Sequence, residues 1–237
     1  MFLWKKKTLN YEERKYGLEP YIILLHYTGM KDAASALNRL TDPESKVSAH
    51  YMVDEDGSVH TLVPEDMRAW HAGDSYWDRE RDINSASIGI EIVNPGHEWG
   101  YREFPQVQTD AVLNLCREIQ ERHTIIHVLG HSDVAPERKQ DPGELFDWHY
   151  LARHNVGFWP YPSDDDIKEA ERIYNIDYEV QRLFVEFGYN PMAAFEDVIT
   201  AFHRHYFPSK FQTGEQGKLC KDTLARLYSL VHQLRDR

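Results

Sequence analysis

After Pro20 the chain runs Tyr21-Ile22-Ile23-Leu24-Leu25-His26, a continuous apolar stretch rather than an alternating one. Such a strand has both faces covered, which puts it in the interior of a sheet with helices packed on each side. It ends in an imidazole, and strand ends are where open α/β sheets build their sites. The next segments supply the rest of a sheet. Met30 to Leu40 reads as a short helix, and Ala49-His50-Tyr51-Met52-Val53 and Ser58-Val59-His60-Thr61-Leu62-Val63 flank Asp54-Glu55-Asp56-Gly57 as a hairpin. Ser87-Ile88-Gly89-Ile90-Glu91-Ile92-Val93 alternates, so Glu91 faces away from the isoleucines, beside small residues that leave room for a ligand. Val112, Leu115, Cys116 and Ile119 mark a helix, and Thr124 to Gly130 a further strand. The pattern predicts an α/β fold with a central mixed β-sheet flanked by helices.

The pattern changes at Trp159-Pro160-Tyr161-Pro162-Ser163-Asp164-Asp165-Asp166, which reads as a linker and helix cap. A boundary near residue 162 divides the chain into a catalytic-sized domain, 1–162 with its core at about 20–160, and a small helical domain, 163–237. Beyond it three apolar stripes predict a three-helix bundle: Val180, Leu183, Phe184 and Phe187; Val198, Ile199 and Phe202; Leu224, Leu227, Val231 and Leu234. The 27 Lys+Arg against 39 Asp+Glu leave a net charge of −12, which argues against a nucleic-acid or anionic-lipid partner. Cys116 and Cys220 are too few and too far apart in sequence for a thiolate metal site or a disulfide scaffold. No stretch approaches the ~20 apolar residues of a membrane span. The start Met1-Phe2-Leu3-Trp4-Lys5-Lys6-Lys7 puts its charges after its apolar residues, unlike a secretion signal.

Position sorts the thirteen histidines. His26 closes one apolar strand, and His131 follows another in Gly130-His131-Ser132-Asp133-Val134-Ala135-Pro136. Asp141 sits in the proline-fixed turn Lys139-Gln140-Asp141-Pro142-Gly143. Two histidines and one aspartate leave a tetrahedral zinc one open position, which separates a catalytic site from a closed structural one. Spacing alone leaves both histidines open to a core role and Asp141 to a turn cap. His127 shares strand parity with His131 but lies roughly 13 Å away along a straight strand, too far for a co-ligand.

Six blocks then occur in one order: His26-Tyr27-Thr28, Ser48-Ala49-His50-Tyr51, Ala69-Trp70-His71-Ala72-Gly73, Ser87 to Glu91, Gly130 to Pro136 and Lys139 to Gly143. On these the chain resembles the zinc-dependent N-acetylmuramoyl-L-alanine amidases of type 2, over roughly residues 20 to 160. Pro136-Glu137-Arg138-Lys139 and Gly157-Phe158-Trp159-Pro160 bring it nearest the two-domain proteobacterial members that act on anhydro-muropeptides. The tail, with Val180-Gln181-Arg182-Leu183 and Ala201-Phe202-His203-Arg204-His205-Tyr206, resembles a peptidoglycan-binding module.

The resemblance implies one Zn2+ per chain on His26, His131 and Asp141, with Glu91 and Lys139 as catalytic groups. It also implies cleavage of the bond between the muramoyl lactyl carbonyl and L-alanine, in peptidoglycan or muropeptides. Glu91 keeps a second reading as a solvated strand residue, and Lys139 as a surface lysine. Trp70 and His71 are candidate walls of the substrate groove, His50 reads as structural, and Asn94 is a candidate peptide contact or a loop cap. The alternative from another class is a non-catalytic peptidoglycan-recognition protein of the same fold, disfavoured by the full ligand set. Lack of a secretion signal points to the cytoplasm, and a wall-binding tail to the periplasm or outer envelope if a signal precedes the chain. The oligomeric state is left open.

Overall fold

A computed structural model of the chain describes residues 3–5 and 8–236; most of the charge pattern read at Met1 to Lys7 lies outside them. In chain order the elements are β1 (Leu3–Lys5), β2 (Tyr11–Glu13), β3 (Ile22–Tyr27), α1 (Ala33–Thr41), β4 (Tyr51–Val53), β5 (Val59–Thr61), β6 (Met67–Ala69), α2 (Ile83–Ala86) and β7 (Ser87–Ile92). There follow α3 (Gly96–Trp99), α4 (Gln106–Arg122), β8 (His127–Gly130), α5 (His131–Val134), α6 (Trp148–Arg153), α7 (Asp164–Ile173), α8 (Asp177–Phe187), α9 (Phe195–Tyr206), α10 (Ser209–Gln212) and α11 (Lys221–Arg235).

Six strands form a mixed sheet in the order β1-β5-β4-β7-β3-β8, with β2 and β6 paired separately. The apolar run is β3, an interior strand with parallel neighbours β7 and β8, as two-sided burial requires. Residues 51–53 and 59–61 pair antiparallel as the hairpin read from sequence.

Strand parity divides the core in two. Ile23, Leu25, Ile88, Ile90 and Ile92 point to one face, where Val112, Leu115, Cys116 and Ile119 of α4 cover them. Ile22 and Leu24 point to the other, into a cluster with Trp77, Val134 and the aromatic stripes of α8 and α9. Phe184, Phe187 and Phe202 are buried, and each such side chain contributes ~1.5–3 kcal/mol on removal from water. The helical segment thus covers the sheet face that also carries His26 and Glu91.

To the three stripes the structure adds α7. Its start is a capping box: Ser163 Oγ accepts from Asp166 N at 3.2 Å, and Asp166 Oδ2 accepts from Ser163 N at 2.8 Å. Within the stretch read as a linker and helix cap, Asp164, Asp165 and Asp166 form this helix's first turn, where they complement the helix dipole. No described helix is long and apolar enough to cross a membrane.

Candidate active site

Register assembles the site. In the β3–β7 pair His26 stands opposite Glu91, and in the β3–β8 pair Leu25 stands opposite Gly130, which delivers His131 next to the end of β3. Asp141 is tied to the same turn, since its carbonyl accepts from Ser132 N at 3.0 Å. Three polar atoms meet there. His26 Nδ1 and His131 Nδ1 lie 3.0 Å apart, and Asp141 Oδ2 lies 2.9 Å from the first and 3.0 Å from the second. Among the described residues this is the one cluster of three or more side chains with metal-ligating atoms in mutual reach.

The hydrogen bonds behind these rings decide which nitrogens carry protons. His131 Nε2 lies 2.9 Å from Ala72 O, which can only accept, so the proton is on Nε2 and the Nδ1 lone pair points into the cluster. For His26 a chain sets the tautomer. Ser87 Oγ donates to Ile83 O, so it accepts from His71 Nε2 at 3.4 Å; His71 Nδ1 then accepts from His26 Nε2 at 3.0 Å. That leaves the Nδ1 of His26 unprotonated.

Electrostatics agree. Burial and the neighbouring His131 hold His26 down to about 4, and burial with the nearby histidines keeps His71 well below the usual range. Two lone pairs and one carboxylate oxygen, with no proton among them, repel one another unless a cation lies between. The edges of about 3.0 Å are close to the ~3.3 Å edge of a tetrahedron with ~2.0 Å bonds to N and O ligands. The side chains therefore suit a small divalent ion, and their far nitrogens are anchored as metal-binding imidazoles usually are.

A cavity of about 350 Å³ opens over the cluster, walled in part by Trp70, His71, Glu91, Lys139, Arg39 and His97. Glu91 is partly buried and its Oε2 has no hydrogen-bond partner. Burial and then the Asp141 charge push its carboxyl up to about 8, against the pull of Lys139 and Arg39. An acid that holds a proton near neutrality beside a metal-competent cluster is equipped for proton transfer.

Trp70 and His71 both reach the cavity, but His71 also backs His26, a role its place in the turn after β6 did not reveal. His50 is buried away from the cavity, accepting from Gly89 N at 2.9 Å through Nδ1. Asn94 is buried in the loop after β7, where its Nδ2 donates to Arg102 O and its Oδ1 accepts from Gly96 N, bonds of the kind a loop cap makes. Sequence reading also missed Arg138, whose guanidinium donates to Ala72 O and Asp74 O, bracing the carbonyl that orients His131. It missed His97 as well, which meets Tyr27 Oη at 3.0 Å and Glu144 at 3.2 Å on the cavity rim.

Residues 16–144 match the family model described as N-acetylmuramoyl-L-alanine amidase. Over 212 residues the chain is 34% identical to N-acetylmuramoyl-L-alanine amidase AmiD of Escherichia coli K12, covering 80% of this chain and 76% of that protein. The chain belongs to the N-acetylmuramoyl-L-alanine amidase family. This amidase is also 43% identical over 106 residues to the 1,6-anhydro-N-acetylmuramyl-L-alanine amidase AmpD of Citrobacter freundii, covering 44% of the chain and 54% of that protein. The solved structure of AmpDh3 from Pseudomonas aeruginosa in complex with anhydromuramic pentapeptide superposes with a TM-score of 0.79 at 29% identity. It covers 92% of the amidase and 94% of that chain, helical segment included. The amidase is accordingly an enzyme, a hydrolase of the muramoyl–L-alanine amide, and these relatives lend no support to the non-catalytic alternative.

Proposed function

We propose that the amidase is a one-zinc hydrolase in which His26, His131 and Asp141 hold the metal and Glu91 and Lys139 act on the scissile amide. The observation that carries this is the convergence of two unprotonated Nδ1 atoms and one carboxylate oxygen within about 3 Å, each imidazole fixed from behind. Zinc in such a set supplies Lewis-acid polarisation of the carbonyl and acidifies water. Glu91, on the cavity wall, is the proton-transfer group: a divalent cation bound beside it would favour its carboxylate, which would take the proton of the attacking water and pass it to the leaving nitrogen of L-alanine. The Lys139 ammonium, two residues before Asp141 and on the cavity wall, stabilises the negative oxygen that develops on the lactyl carbonyl. Trp70 and His71 wall the groove that receives sugar and stem peptide.

In the same reading the substrate is a muropeptide, including the 1,6-anhydro form that the names of AmpD and of the AmpDh3 complex carry. The chain divides near residue 162 into a catalytic part and a helical part that resembles a peptidoglycan-binding module. The cytoplasmic reading goes with soluble muropeptides, and fractionating cells that express the native gene tests it against the envelope.

The mechanism is tested by zinc content and by release of free stem peptide from an anhydro-muropeptide. Native protein is expected to hold about one zinc and to cleave, as a site with three protein ligands and an open position does. His131→Ala loses both metal and activity, Glu91→Ala keeps metal without activity, and Lys139→Met keeps metal with reduced turnover. Cleavage that survives Glu91→Ala would overturn the assignment of the base.

A further inference from the structure

α5, which begins with His131, is four residues long, too short to hold itself together, and its N-cap is Gly130, which has no side chain to offer. The carboxylate of Asp133 does the capping instead, with Oδ2 accepting from Gly130 N at 2.7 Å. That carboxylate is fully enclosed. A buried carboxylate persists only where donors surround it, and the other two come from the far end of the chain. His205 on α9 donates from Nδ1 to Oδ2 at 2.7 Å, and Tyr189, in the turn after α8, donates its hydroxyl to Oδ1 at 3.0 Å.

His205 is itself clamped. Its ring stacks on Trp148 at 3.7 Å between centroids and on Tyr206 at 3.7 Å. Trp148 in turn abuts Gly130: a Cβ there would come within 3.3 Å of the indole. The next residue back on α9 faces the other ligand turn, since Arg204 Nε lies 3.5 Å from Glu144 Oε2, and Glu144 follows Asp141 by three residues. Consecutive residues of one tail helix thus reach both turns that deliver ligands.

We propose that the helical segment is part of the catalytic apparatus, with His205 and Tyr189 as positioning residues that hold the His131 turn through Asp133. This rests on His131 being a metal ligand. Without these donors Asp133 is buried with one partner, the Gly130–His131 turn loosens, and the Nδ1 of His131 no longer stands at its distance from Asp141. A segment that served only to grip the cell wall would have no need to place two donors on a carboxylate two residues from a ligand.

The test uses the full-length protein with zinc alone, titrated against a chromophoric chelator, together with the visible spectrum of the cobalt-loaded protein and the melting temperature of the metal-free protein. His205→Phe keeps the aromatic stack and removes the donor, and Tyr189→Phe removes one hydroxyl and suffices should the first variant not fold. Leu227→Val disturbs the same helical core from α11 and serves as the comparison. The expected result is zinc binding weakened at least about 10-fold in His205→Phe, less in Tyr189→Phe, with an altered cobalt spectrum, while Leu227→Val stays within about two-fold of native. The proposal is overturned if the two donor variants lose melting temperature but keep zinc affinity, or if Leu227→Val weakens zinc as much as they do. A His131→Ala arm separates the two levels: unchanged zinc affinity there removes the metal-ligand reading itself, whatever the donor variants do.

Discussion

The ring of His71 stands edge-on to that of His26, centroids 5.1 Å apart at 84°, with its Nδ1 3.0 Å from the Nε2 of His26. In the proposed metal site His71 therefore orients His26 as well as lining the cavity. Replacing it by Ala frees His26 to rotate and to change tautomer. Zinc affinity is expected to fall by about 10–100-fold, the usual loss when such a supporting partner is removed. Competitive titration in folded protein checks this, and an unchanged affinity would remove His71 from that role.

Gly89 makes room for that arrangement. A Cβ at this position would lie 2.6 Å from the His71 ring, closer than side chains tolerate. Gly89→Ala should push the imidazole away, costing about 1–3 kcal/mol as overpacked sites do. Zinc affinity should drop along with that of His71→Ala, and the double variant should show little further loss because both act through one ring.

For Glu91→Gln two outcomes are expected. Turnover falls by about 10²–10⁴-fold with metal content retained, as removal of a general base requires. Stability moves the other way in the metal-free protein. The folded carboxyl titrates at about 8 and the unfolded one near 4.5, so between these values the folded state holds the extra proton and native stability drains away as pH rises. Glu91→Gln removes that loss, and melting curves from pH 5 to 9 with chelator present should cross: an equal slope in both proteins contradicts the shift.

Acid acts elsewhere. Burial and the adjacent Arg14 hold His50 down to about 3, so below about 6.5 the unfolded chain takes up a proton that the folded one refuses. Glu65 is opposed by burial but held down to about 2 by Arg122, Tyr51 and His123. Its contribution is present above about 4.5 and is lost as pH falls toward 2. The melting temperature should decline from about pH 6.5 downward, and Glu65→Gln should flatten the part below 4.5. A flat profile from pH 7 to 4 in the native protein would refute this account.

The core of the site was readable because chemistry and periodicity coincide there. His26 terminates a two-sided apolar strand, Glu91 holds the off-face position in an alternating one, and Asp141 precedes a proline. What escaped reading depends on contacts between distant segments. Nothing local marks His71 as the backing of His26, Arg138 as the brace of Ala72, or His205 as a donor to Asp133. Asn94 stayed open because an amide beside a strand end suits ligand binding and loop capping equally, and its bonds to Arg102 and Gly96 exist only in the folded chain. The cap of α7 was legible at Ser163 and the aspartates after it, whereas the helix body, in which Ala170 and Ile173 are the buried apolar residues, carries too short a stripe to read.

The three metal-competent side chains are separated by 105 and 115 residues of chain, and they meet only because β3 pairs in parallel with β8. Parallel pairing cannot be nucleated by a tight turn and must pay for closing a long loop. Until that closure His26 is held apart from His131 and Asp141, and the full set of three is not assembled. Two of the donors to Asp133, Tyr189 and His205, stand 56 and 72 residues further along the chain, so the turn that carries His131 also depends on distant segments. In a hydrolase built this way the metal-competent cluster belongs to no local motif; it is a product of the same long-range closure that completes the sheet.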